Sequence, residues 1–115
     1  MEPAAAFELY RRKVFAQAEL TPADGGLFAA MRAEDKQANL RLIMGVSRWL
    51  IERIEAIPQA EQIAAGLDPL ALLTQANSVV SEKLRAYRGE SIDEFRGILM
   101  PALEARLHSL FGRKV

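Results

Sequence analysis

A chain of 115 residues, half of them apolar, is the size of one domain and can bury roughly two-thirds of the surface its unfolded form exposes. It has no cysteine, which excludes disulfides and thiolate metal sites, and its fifteen basic and fifteen acidic side chains cancel, which argues against a protein built to coat nucleic acid. No apolar run precedes Arg11, so the pattern of a secretory signal is missing, and Arg41, Arg48, Glu52, Arg53 and Glu55 interrupt the most apolar stretch too often for a membrane span. The expected location is the cytoplasm, and the excess of Arg over Lys together with abundant Ala suits a GC-rich bacterial coding sequence.

Helix formers dominate and the apolar residues recur at helical spacing almost throughout. Phe7, Tyr10 and Val14 predict a first helix from Pro3 to Glu19. Thr21-Pro22-Ala23-Asp24 then reads as a helix start: a good N-cap, a proline suited to the first turn, and an acid able to reach back to the cap. Gly25 and Gly26 weaken that turn. The second helix is expected to run unbroken to Ile57, with its polar middle from Arg32 to Asn39 as an exposed stretch and Pro58 as its stop.

Ala60 to Ala65 predicts a short helix closed by Gly66. Asp68-Pro69 is a strong start signal for a further helix, expected to reach Arg88 with Gly89 as its cap. Ser91-Ile92-Asp93-Glu94 is a capping box, and the last helix is expected to end near Phe111 with Gly112 closing it. Gly97 and Pro101 lie inside it, and the proline predicts a kink, with Ile92, Phe95 and Leu99 as one stripe before it and Leu103, Leu107 and Leu110 as another after it. The expected fold is all-α: residues 1–115 form a single-domain bundle of four main helices plus a short connecting helix.

Catalytic signals are sparse. His108 is the only histidine, and Glu104 lies one turn before it, so a carboxylate-oriented base is conceivable on one helix face. An exposed pair near the negative end of the helix dipole explains the same spacing with less. The Glu-x-x-His motif of dimetal bundles is absent, because Ala105 stands three residues before His108. The chain is therefore expected to be no enzyme and to need no cofactor or metal.

Binding signals are of two kinds. Leu40, Leu42, Ile43, Met44, Val46, Trp49 and Leu50 cover nearly every side of their helix, more than one core face requires. Phe28 and Met31 extend that surface. Leu70, Leu73, Asn77, Val80, Leu84 and Tyr87 alternate by three and four, a heptad seam in which Asn77 would fix register. The candidate protein interface is thus Phe28, Met31, Met44, Trp49 and Asn77, and the expected partner is another protein or a second copy of the chain.

Nucleic acid is the alternative partner, through Arg11, Arg12 and Lys13 with Arg85 and Arg88. Three consecutive basic positions spread around a helix rather than forming one grip. Gln62 to Leu67 followed by a helix faintly echoes a helix-turn-helix, but the second helix opens with an acid and leucines where base-reading side chains are needed. The sequence therefore favours a protein partner.

Overall fold

The structure is a computed structural model that describes residues 2–112. Helix α1 spans Pro3–Phe15, and a 3-10 turn over Pro22–Gly25 leads into α2, Gly26–Arg32. The remaining helices are α3 (Lys36–Glu55), α4 (Gln59–Ala65), α5 (Pro69–Ala86) and α6 (Ile92–Leu110). The described residues form an all-α bundle without strands, in which α1, α3, α5 and α6 are the long members.

Local chemistry accounts for most boundaries. Asp24 accepts the Thr21 N–H at 2.7 Å, the reach-back half of a capping box. Asp68 accepts the Ala71 N–H at 2.8 Å, and Ser91 Oγ accepts the Glu94 N–H at 3.1 Å. Gly66 closes α4 in the left-handed conformation at φ 69°, while Leu67 N–H reaches back to Gln62 and Gly66 N–H to Ile63.

Three expected boundaries need correction. Helix α1 stops at Phe15, short of Glu19, because the chain turns inward to bury Leu20 against Gly45 of α3. Arg41 holds that turn by donating to the carbonyls of Ala18 at 2.8 Å and Glu19 at 3.3 Å. Helix α5 ends at Ala86, because Tyr87 is extended and its ring is buried; Gly89 is not a left-handed cap but lies against that ring.

The third correction is the largest: the expected long second helix is two helices. Glu34 takes φ 67°, Asp35 N–H reaches back to Ala30 and Glu34 N–H to Met31, which together close α2 in a Schellman turn. Asp35 then caps α3 by accepting from Gln37 N–H at 2.9 Å and Ala38 N–H at 3.2 Å. The polar middle is therefore a helix end followed at once by a helix start.

Helix α3 is the axis of the bundle and packs against α1, α2 and α5. Ten of its residues are buried, including the unbroken run Met44–Ser47 and then Trp49, Leu50 and Ile51. Arg96 of α6 lies over the Trp49 ring at 4.8 Å. Phe28, Tyr87 and Phe95 form a second aromatic centre, with ring centroids 4.8–5.4 Å apart, that joins α2 to the α5–α6 connection. In α6 the buried residues Ile92, Phe95, Leu99, Leu103 and Leu107 make one stripe on both sides of Pro101, rather than two.

Candidate functional site

The expected apolar surface around Trp49 is inside the subunit. Phe28 is 1% exposed, Met44 8% and Trp49 5%, so these three are core residues, and helices on several sides of α3 absorb most of its apolar girth, Leu40 staying exposed. Met31 and Asn77 are half-buried, and they come together elsewhere.

They meet in a groove of about 660 Å³. Its floor is apolar: Val80 and Leu84 of α5 are buried, and Ile43 of α3, Met31 of α2 and Tyr10 of α1 are half-buried beside them. Its rim carries Arg32 at the end of α2, Arg85 in the last turn of α5 and Arg88 just beyond it. Asn39, Asn77 and Ser81 complete the lining, and no carboxylate belongs to it. In a chain without net charge, an apolar trough edged by three guanidiniums and no acid is a local field of one sign.

Backbone carbonyls hold the three arginines in place. Arg32 donates to Gly89 O at 3.2 Å, Arg88 to Arg85 O at 2.7 Å and Arg85 to Ser81 O at 3.3 Å. Arg85 and Arg88 thereby complement the negative end of the α5 dipole. Among the described residues none of the three forms an ion pair with a carboxylate. Tyr10 stands at the groove edge with its hydroxyl 2.8 Å from Ser47 Oγ, which anchors α1 against α3.

The other nucleic-acid candidates do not join this cluster. Arg11 bonds Glu55 at 2.9 Å and stacks over Phe15, and the Glu55 hydrogen bond, then its charge, pushes the guanidinium pKa up. Arg12 turns back to Glu8 at 3.4 Å, while Lys13 is exposed on another side. The triplet is therefore split, whereas Arg85 and Arg88 gain an ally in Arg32. In the helix-turn-helix echo, Leu72 and Leu73 of α5 point into the core.

The carboxylate expected to orient His108 is committed elsewhere. Arg53 grips Glu104 with two donors, Nε and Nη2, the second at 2.9 Å. That hydrogen bonding holds the Glu104 carboxyl below its usual range, against the opposing effect of partial burial. His108 Nδ1 has no hydrogen-bond partner among the described residues. An oriented imidazole base is thus not assembled, and no three His, Asp or Glu side chains converge among the described residues.

No family model, curated protein or solved structure matches this chain. The groove must be read from its own chemistry. Sequence reasoning named Met31, Asn77, Arg85 and Arg88 under two separate partner classes, and the fold brings them into one lining. Ile43 belongs to the apolar stretch the sequence already offered as a surface, whereas Arg32 and Tyr10 were missed, because their place depends on the break at Glu34 and on the packing of α1. Among the described residues no helix is long and apolar enough to cross a membrane.

Proposed function

We propose that the chain is a non-enzymatic interaction module that binds an acidic amphipathic helical segment of a protein partner in the arginine-rimmed groove. The observation that carries this reading is the coincidence of an apolar floor with a rim of Arg32, Arg85 and Arg88 and no carboxylate. Along α5 the lining runs from Asn77 to Arg85, a rise of about 12 Å at 1.5 Å per residue, which matches roughly two turns of a bound helix. An apolar stripe at i, i+3, i+4 and i+7 would cover Val80, Leu84 and Ile43, and flanking Asp or Glu would meet the guanidiniums. Asn77 offers a polar contact that fixes register within the floor, the role its place in the heptad seam suggests.

The test is a fluorescence titration with a synthetic peptide carrying Leu at those stripe positions and Glu beside them. The expected result is saturable binding that rising salt weakens and that the Arg85→Glu/Arg88→Glu variant weakens at least about tenfold, or 1.4 kcal/mol. Equal binding of a peptide with Lys in place of Glu would discard the charge argument. Tight, steeply salt-dependent binding of an oligonucleotide, with no binding of the peptide, would replace the protein partner by nucleic acid.

A further inference from the structure

The chain passes from α2 to α3 through one short hinge, and the segment before it is built as an arm laid on the rest of the molecule. Helix α1 lies on α3 and α5, the 3-10 turn on α6, and α2 on α3. The buried side chains of this arm, Phe7, Val14, Leu20 and Phe28, join the common core. Polar bonds cross the same boundary: Tyr10 to Ser47, Arg11 to Glu55, Arg32 to Gly89, and Arg41 to the carbonyls of Ala18 and Glu19. Residues 2–32 thus fit a surface on the body, to which the hinge alone connects them covalently.

The hinge is bent against its own sequence. Arg32-Ala33-Glu34-Asp35-Lys36 has neither glycine nor proline, and Arg, Ala, Glu and Lys are strong helix formers. Yet Glu34 sits at φ 67°, in the left-handed region that an L side chain enters at a cost. Residues 32–37 are exposed, so no packing on the hinge enforces the bend. Straightening relaxes Glu34, and the N–H groups of Gln37 and Ala38, now held by the Asp35 carboxylate, pass to the main-chain ladder. Within one chain the arm forbids this, because it would leave its place in the core. A second copy removes the obstacle, since its arm makes the same contacts.

We propose that the Glu34 hinge is a domain-swapping switch. In the open form α2 and α3 fuse into one helix over residues 26–55, about 45 Å long at 1.5 Å per residue, and the arms of two copies exchange places. The closed chain and the swapped pair share their contacts except at the hinge, so the hinge sequence sets the balance between them. Tyr10, Met31 and Arg32 lie on the arm and the other groove residues on the body. Each groove of the pair is therefore completed by the second copy, and a one-site module becomes a two-site one whatever the groove binds.

The test is refolding from urea at millimolar protein, followed by size-exclusion chromatography with light scattering. Wild type should yield a monomer and a slowly exchanging dimer, whose share grows with the concentration at refolding. Asp35→Ala removes the α3 cap and favours the straight hinge, and should raise the dimerisation constant at least about tenfold, because two hinges open per pair. Glu34→Gly relieves the bend and weakens the straight helix, and should lower that constant by at least about tenfold. Arg11→Cys/Glu55→Cys, which replaces a pair spanning arm and body, tells a swap from a surface contact, because the chain has no other thiol. A bis-maleimide should link these cysteines within one chain in the monomer and between two chains in the dimer, as read on a denaturing gel. A dimer linked only within chains, no dimer from wild type or from a folded Asp35→Ala, or a Glu34→Gly chain that pairs as readily as wild type would each overturn the inference. Should Asp35→Ala fail to fold, wild type against Glu34→Gly and the linkage pattern decide.

Discussion

Two glycines in this chain carry opposite physical meanings. At Gly25 a β-carbon would collide with the backbone carbonyl of Glu90, because the turn before α2 lies directly on the α5–α6 connection. Gly25→Ala is expected to cost about 1–3 kcal/mol, since backbone and not a flexible side chain must yield. Gly97 is exposed in α6 and its β-carbon would meet nothing, so Gly97→Ala should stabilise by about 0.5–1 kcal/mol. Urea denaturation of both variants reads the two signs, and equal shifts in one direction would contradict the packing described. The sequence alone could not separate them: Gly25-Gly26 looks like a weak helix start, and only the distant Glu90 reveals the close approach.

Glu104 and Tyr87 set the polar balance at the same scale. The Arg53 hydrogen bonds depress the Glu104 pKa, so their stabilisation is present above the ordinary glutamate pKa of about 4.3 and is lost as pH falls through the depressed value. Half-exposure of the pair keeps the contribution on the order of 1 kcal/mol or less. Glu104→Gln should flatten that acid limb of the stability curve, and an unaltered limb would remove the pair from it. Tyr87 replaces part of the expected capping box: its hydroxyl accepts the Ser91 N–H at 3.1 Å and donates to Glu94 Oε1 at 2.8 Å. Burial, foremost, raises the Tyr87 pKa, so this link holds through neutral pH and is lost only when strong alkali ionises the phenol.

At the scale of elements, the helix starts were legible because their signals are local. Asp68 and Ser91 each accept a backbone N–H three residues on and cap where expected, whereas at Thr21 the bond runs from its own N–H to Asp24 and opens a 3-10 turn rather than an α-helix. The break at Glu34 was not legible, because a Schellman turn usually advertises itself with Gly or Asn and here a glutamate takes the left-handed position. That choice stores strain of about 1 kcal/mol. Glu34→Gly should therefore raise stability by up to about 1 kcal/mol, and Asp35→Ala should lower it by about 1 kcal/mol through loss of the α3 cap. A destabilised Glu34→Gly would mean that α2 and α3 are continuous after all. The break matters to the site, since it folds α2 back and sets Met31 and Arg32 on the groove.

The whole molecule shows why the apolar count misled. The apolar girth of α3 suggests exposure only if one side faces solvent, yet α1, α2 and α5 surround it and leave Trp49 5% exposed. Trp49→Asp is accordingly expected to unfold the chain, seen as lost helical ellipticity, whereas Ile63→Ser leaves it folded. The groove residues drew attention separately, as an Asn in a heptad and as two arginines late in a helix, because their convergence is a property of tertiary packing. The most direct measurement of the central claim is an amide chemical-shift map recorded while the synthetic acidic helix is titrated into labelled protein. Perturbations concentrated at Met31, Arg32, Ile43, Asn77, Ser81 and Arg88 are the expected result. Perturbations scattered over the surface, or confined to the opposite end around Ile63, would contradict it.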